Sequence, residues 1–269
     1  MAKQPNRYER VMEHVFFARF TANSASVEFS REDFVAAAKK LRVDLPKNLG
    51  DIIYSFRNRA SLPARINATA PTSKMWIIKS IGRSRYQFVP VDVDRFVPTS
   101  TLIRTSIPDA TPGIVSQYAM SDEQALLAKL RYNRLLDIFT GLTCYSLQSH
   151  LRTSVPGTGQ IEVDELYVGL DKYGAHTVIP VQAKGGTDSL GLVQVLQDLK
   201  MCEHKFPNLL CRAIGAQFLD ASTIALFEFT DTMEGPRIVQ ERHYKLVAPT
   251  DISAEELAQY KRLAQSSLR

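Results

Sequence analysis

Two hydrophobic periods divide this chain. Over the first sixty residues apolar side chains recur every three or four positions, as on helices, and later stretches alternate every second position, as on strands. Residues 6 to 20, NRYERVMEHVFFARF, set Val11, Met12, Val15 and Phe16 on one stripe behind an asparagine cap. In ASVEFSREDFVAAAKKLRV the stripe is Phe34, Ala37, Ala38 and Leu41, with Ser30 as N-cap and Asp33 three residues on. Pro46 opens a third helix, KNLGDIIYSFRNR, which turns Leu49, Ile52, Ile53 and Phe56 inward. MWIIKSIGRSRYQFVPV then alternates as a hairpin does, with Gly82 at the turn.

Residues 95 to 120 are rich in Pro, Thr and Ser and read as a linker. A helix is expected over 121 to 141, capped by Ser121, striped by Leu126, Leu127, Leu130, Leu135 and Ile138, and stopped by Gly141. Three strands follow, LTCYSLQSHLRTSV, GQIEVDELYVGL and AHTVIPVQAK, with Pro156-Gly157 and Lys172-Tyr173-Gly174 at the turns. SLGLVQVLQDLKM reads as a helix, LLCRAIGAQF and TIALFEFTDT as strands, and 253 to 265 as a last helix. This order predicts an α/β (α+β) protein with a mixed sheet. The expected division is 1–94, a linker over 95–120, and 121–269.

Composition changes the picture little: 45% apolar and 23% charged is ordinary for a soluble globular protein. No apolar run approaches the roughly 18 residues of a membrane helix, and the N-terminus lacks a signal-peptide core, so no membrane role is expected. Cys144, Cys202 and Cys211 have no CxxC spacing, and His150, His176, His204 and His243 have no ligand spacing. A reduced, intracellular (cytoplasmic) protein without a zinc site follows. Charge says more. Residues 1 to 95 carry 17 Lys and Arg against 9 Asp and Glu, a net of +8, while 96 to 269 carry 16 against 19, a net of −3. The basic excess of the N-terminal third suits a polyanion.

Three helices and a hairpin with a basic tip resemble the winged-helix form of the helix-turn-helix. The resemblance implies that the third helix enters the major groove of double-stranded DNA and that the wing lies along phosphates. Carried onto this chain, the helix candidates are Lys47, Asn48, Tyr54, Ser55, Arg57, Asn58 and Arg59, and the wing candidates are Lys79, Arg83 and Arg85.

The chemistry gathers farther on. Glu162 and Asp164 share one face of a strand, with Val163 and Glu165 on the other; Gln182 and Lys184 share a face of the next. A hairpin sets equivalent positions about 5 Å apart. A lysine at the end of a buried strand needs an anionic partner or water, and these carboxylates supply the partner.

This arrangement, IEVDELYVG with VIPVQAKGG and a Gly-rich exit, resembles the PD-(D/E)xK nuclease superfamily, particularly type II restriction endonucleases, over roughly residues 121 to 230. The resemblance implies a Mg2+ (or Mn2+) ion held by Asp164 and Gln182, with Lys184 orienting the water that attacks a phosphodiester. Gln182 stands where the family usually has an acid, which weakens metal affinity. Glu162 or Glu123 would supply the missing charge, and Gln194 is a further polar candidate. The function implied is a metal-dependent endonuclease (a hydrolase of a restriction system) cutting duplex DNA as a homodimer, with dependence on methylated cytosine left open. The alternatives are a winged-helix binding protein without turnover and a repair or junction nuclease.

Overall fold

The computed structural model describes residues 6–22, 24–58, 61–92, 95–118, 122–185, 188–232 and 235–266. Arg59, the side chain of Asn58, and Ser121 lie outside the described residues. The chain divides into two units: one takes the chain up to Phe96 with Arg152–Glu162 and Gly191–Lys205, the other Val97–Leu151, Val163–Leu190 and everything from Phe206.

In the first unit the expected helices form. Asn6 accepts the N–H groups of Tyr8 and Glu9, and the Glu9 carboxylate accepts the N–H of Asn6, which starts α1 (Arg7–Phe17). β1 (Val27–Ser30) runs into α2 (Arg31–Lys40), where Ser30 and Asp33 close a second capping box. Next come α3 (Leu49–Asn58), a short α4 (Ala64–Asn67), β2 (Met75–Gly82), β3 (Arg85–Val91) and a two-residue β4 (Arg95–Phe96). β1, β3 and β2 form an antiparallel sheet in that order, and the sequence of elements is helix, strand, three helices and a hairpin. Phe16 anchors the core, with ring centroids 5.2 Å from Trp76 and 5.0 Å from Phe88. The indole N–H of Trp76 donates to the Thr69 hydroxyl at 3.1 Å, so its one polar atom is not stranded in that core.

The second unit is built on a mixed sheet. Its elements are β5 (Arg104–Pro108), α5 (Gly113–Tyr118), α6 (Glu123–Tyr132), α7 (Leu135–Thr140), β6 (Thr143–Val155), β7 (Gly159–Leu170), β8 (His176–Lys184) and β9 (Leu190–Gly191). α8 (Leu192–Lys205), which belongs to the first unit, comes next in the chain, and the second unit resumes with β10 (Leu210–Cys211), β11 (Ala213–Phe218), β12 (Thr223–Thr230), β13 (Arg237–Val247) and α9 (Ala254–Ser266). The strand order is β5-β13-β12-β11-β8-β7-β6, with β10 added beside β8. β8 runs parallel to β11 and β13 parallel to β5, while β7–β8, β11–β12 and β12–β13 are antiparallel. Leu126 and Leu130 of α6 pack with Ile179, Val181, Ala183, Ile214 and Ala216, one face of β8 and β11.

Four sequence expectations change here. The stretch expected to be a linker contributes an edge strand, because Arg104–Pro108 pairs with His243–Val247 of β13. The single helix over 121–141 breaks at Arg134, which is left-handed (φ 48), and its cap is Asp122, whose side chain accepts the N–H of Ala125. The third N-terminal helix starts at Leu49 rather than next to Pro46, with Asn48 ahead of it accepting from the N–H of Gly50. The 121–269 boundary is also crossed, since 152–162 and α8 belong with the N-terminal residues. Inside that first unit α8 packs on α3 and on β2.

Gly215 fixes how closely the layers approach. A Cβ there would lie 2.4 Å from Leu190 Cδ2 and 3.1 Å from Phe229. Gly215→Val is therefore expected to destabilise the fold by about 1–3 kcal/mol through overpacking, read as a lower urea midpoint at unchanged slope.

Candidate active site

The site is set where the β7–β8 pairing stops. The pairs run from Leu170↔His176 to Glu165↔Val181. One residue farther along β7, the Asp164 carboxylate accepts the backbone N–H of Ala183 through Oδ2 at 2.8 Å. A side chain has taken a donor of the β8 backbone, and this clamps one carboxylate oxygen against the end of β8.

Strand alternation then assigns faces. Glu165, Val181 and Ala183 belong to the face on which α6 packs, so Asp164, Gln182 and Lys184 belong to the opposite one. This is the sharing of a face that the sequence pattern predicts. Gln182 is 2% exposed, and Lys184 is the last residue of β8. On the parallel neighbour β11, Gly215 stands beside Gln182 and Gln217 beside Lys184. The absent side chain at 215 leaves space that Leu190 fills.

Lys184 finds its anion in Glu123, the first residue of α6. Its Nζ is 3.2 Å from Glu123 Oε1, with the lysine side chain 12% and the glutamate 42% exposed. A pair this sheltered on the cationic side is screened less than one on the open surface. Of the two acids that could supply the missing charge, Glu123 is the one bonded to Lys184. Glu162 belongs to the other unit and accepts both Nε and Nη2 of Arg152, at 3.1 and 2.9 Å. Gln194 likewise lies in the first unit, its side chain accepting the N–H of Gly191.

Two residues of the site region escaped sequence reasoning. Gln217 shares the face of Lys184, and its Oε1 is buried with no hydrogen-bond partner. The alternation of AIGAQF beside an expected strand was the available signal. On the other face, Glu165 is wholly buried, accepts Arg131 at 2.5 Å and the Ser146 hydroxyl at 2.7 Å, and keeps Oε2 without a partner. Burial, and then the Glu165 charge, push the Tyr167 phenol well above its ordinary range. That cluster ties β7 to α6, the helix that carries Glu123.

Near the end of β8 lie two carboxylates, Asp164 bonded to the N–H of Ala183 and Glu123 bonded to Lys184, and Gln182 is buried on the strand face of Asp164. All are hard oxygen donors that suit magnesium or manganese and not zinc. Among the described residues no group of three or more His, Cys, Asp or Glu side chains is placed to hold a metal ion.

The residues expected to meet DNA are less open than the helical pattern suggests. On α3, Leu49, Ile52, Ile53 and Phe56 are buried, and Tyr54, Ser55 and Arg57 are half-buried. Among its described side chains only Gly50 and Asp51 are exposed, because α8 packs on this helix. At Arg57 burial lowers the pKa, with Tyr86 and Tyr54 opposing the shift, and Nε has no partner among the described residues. Lys47, Asn48, Arg83 and Arg85 are exposed, Arg85 bonded to Glu28 at 2.9 Å; Lys79 is half-buried. No helix among the described residues is long and apolar enough to cross a membrane.

No family model, curated protein or solved structure matches this chain.

Proposed function

We propose that this protein is a divalent-metal-dependent endonuclease acting on duplex DNA, of the type II restriction kind. The observation that carries the reading is the Asp164 carboxylate clamped by the N–H of Ala183 beside the Lys184–Glu123 pair. Three features support it: an acid and a lysine on adjacent strands with a second acid at the start of α6, hard oxygen donors without a soft ligand, and an excess of cations in the N-terminal third.

Asp164, Gln182 and Glu123 are the residues that would hold the cation, whose contribution is to neutralise the phosphodiester and lower the pKa of water. Lys184 does the chain's own work. Its ammonium favours the deprotonated form of a neighbouring water and screens the phosphate charge that repels hydroxide. Glu123 holds that ammonium in place, and the Ala183 N–H fixes the direction of Asp164. The test is digestion of methylated and unmethylated plasmid in Mg2+ or Mn2+, with sequencing of the ends. Discrete fragments at a fixed sequence support restriction, cuts confined to junctions indicate a repair enzyme, and tight binding without cleavage in every condition indicates a binding protein.

Gln182→Glu is expected to lower the metal concentration giving half-maximal cleavage, because it adds the charge the donor set lacks. A metal titration at fixed DNA measures it, and an unchanged midpoint would place Gln182 outside the donor set.

Phosphate binding falls in this reading to the open cations at the turn between α2 and α3 and at the hairpin tip. Lys39→Ala, Lys40→Ala, Lys47→Ala and Arg83→Ala combined are expected to weaken DNA binding on all sequences alike. The slope of log K against log salt should fall by about 0.9 for every phosphate left without its cation, as measured by anisotropy across a salt series.

A further inference from the structure

The two edges of the large sheet are treated differently. At one edge, β5 is covered: the Tyr260 hydroxyl of α9 accepts the N–H of Ser106 at 2.9 Å, and Glu256 accepts the Ser106 hydroxyl at 3.0 Å. Arg104 and Pro108 further blunt that strand. At the other edge, β6 follows β7 as the last strand, and among the described residues no strand pairs with its outer side. It is 13 residues long, and Tyr145 to His150 are all exposed.

What β6 lacks is as informative. From Thr143 to Ser149, TCYSLQS, there is no Lys, Arg, Asp, Glu, Pro or Gly, the residues with which exposed edges are usually protected. His150, left-handed at φ 50, marks where the uninterrupted segment stops. Tyr145 and Leu147 are 60% and 55% exposed. Ser146 bonds Glu165, on the α6 side of the sheet, so alternation sends Tyr145 and Leu147 to the face of Asp164 and Gln182.

We propose that Thr143–Ser149 of β6 is a pairing edge for a second copy of this chain, which extends the sheet across a two-fold axis. An uncharged segment meets its own copy without like-charge repulsion, whereas it offers a charged partner nothing to neutralise. Self-pairing satisfies the outward N–H and C=O groups and covers Tyr145 and Leu147. The consequence for the site, which rests on the nuclease reading above, is lateral spacing. Strand β7 and its copy would be three strand steps apart, about 14 Å at about 4.8 Å each. Two sites at that separation are on the scale of a DNA groove, about 12 Å wide on the major side, and so address both strands of one duplex.

Sedimentation of the full chain at micromolar concentration tests this. The expected result is twice the mass of the 30.2 kDa chain, with Leu147→Lys and Ser149→Lys each shifting the protein to monomer at unchanged circular dichroism. Hydrogen exchange on the wild type gives a reading independent of any variant: amides of 143–149 should gain protection as concentration rises. A monomeric wild type, folded lysine variants that remain dimers, or no concentration-dependent protection at 143–149 would each overturn the proposal. A wild-type dimer showing these effects but cutting no DNA counts against the nuclease reading and upholds the interface. Where cleavage is present, the monomeric variants should nick plasmid instead of linearising it.

Discussion

Asp164→Asn is expected to cost at least about 1,000-fold in cleavage, or about 4 kcal/mol of barrier, with the fold intact. The substitution separates two jobs of one side chain. An amide oxygen still accepts the N–H of Ala183, so the clamp at the end of β8 remains. The charge is gone, and with it the anion that the proposed reading assigns to the cation. Lys184→Met should reduce cleavage in the same direction. It leaves Glu123 unpaired but 42% exposed, where water can solvate it. Both variants are read by the rate at which supercoiled plasmid disappears, with circular dichroism and the urea midpoint as controls for folding. If either folded variant cut as fast as the wild type, the assignment would be falsified.

Arg131→Met should have the largest effect on stability. Arg131 is 47% exposed, but its partner Glu165 is not exposed at all, and one oxygen of that carboxylate already lacks a hydrogen bond. Without the guanidinium, a buried charge would be held by the Ser146 hydroxyl alone. Breaking a buried pair from one side typically costs about 3–5 kcal/mol. The reverse change, Glu165→Gln, leaves a cation that can turn to solvent and should cost less. Urea denaturation of the two single variants and the double gives the order directly, since the double variant removes both charges and should recover part of the loss.

The parts of the molecule legible in the sequence are those where local chemistry and global packing agree. Asn6 and Ser30 cap the helices their positions predict, and Gly82 ends β2 at the hairpin. The face shared by Asp164, Gln182 and Lys184 follows from a period of two, which survives any uncertainty about loops. The strands that the pattern does not reveal are those whose pattern is not their own. β13, RIVQERHYKLV, intersperses charged side chains with its apolar ones, and β5 ends in a proline within a Thr- and Ser-rich stretch. Each is defined by its neighbour, β5 by the register it takes from β13. Arg57 shows the opposite case. Its place on an amphipathic helix suggests a solvent face, but α8, 135 residues beyond it at its first residue, Leu192, closes over α3. Nothing local to α3 records that packing.

The first unit draws on three separate stretches of chain, so it cannot be lifted out as a cassette. A truncation after Phe96 would strip away α8, which packs on α3 and β2, and expose the apolar side chains those elements now bury. Swapping in a different N-terminal module would meet the same obstacle from the other direction, because the incoming module would have to accept a helix made for its predecessor. Changes to this unit are therefore accommodated by substitution along the existing surface more readily than by recombination of whole domains.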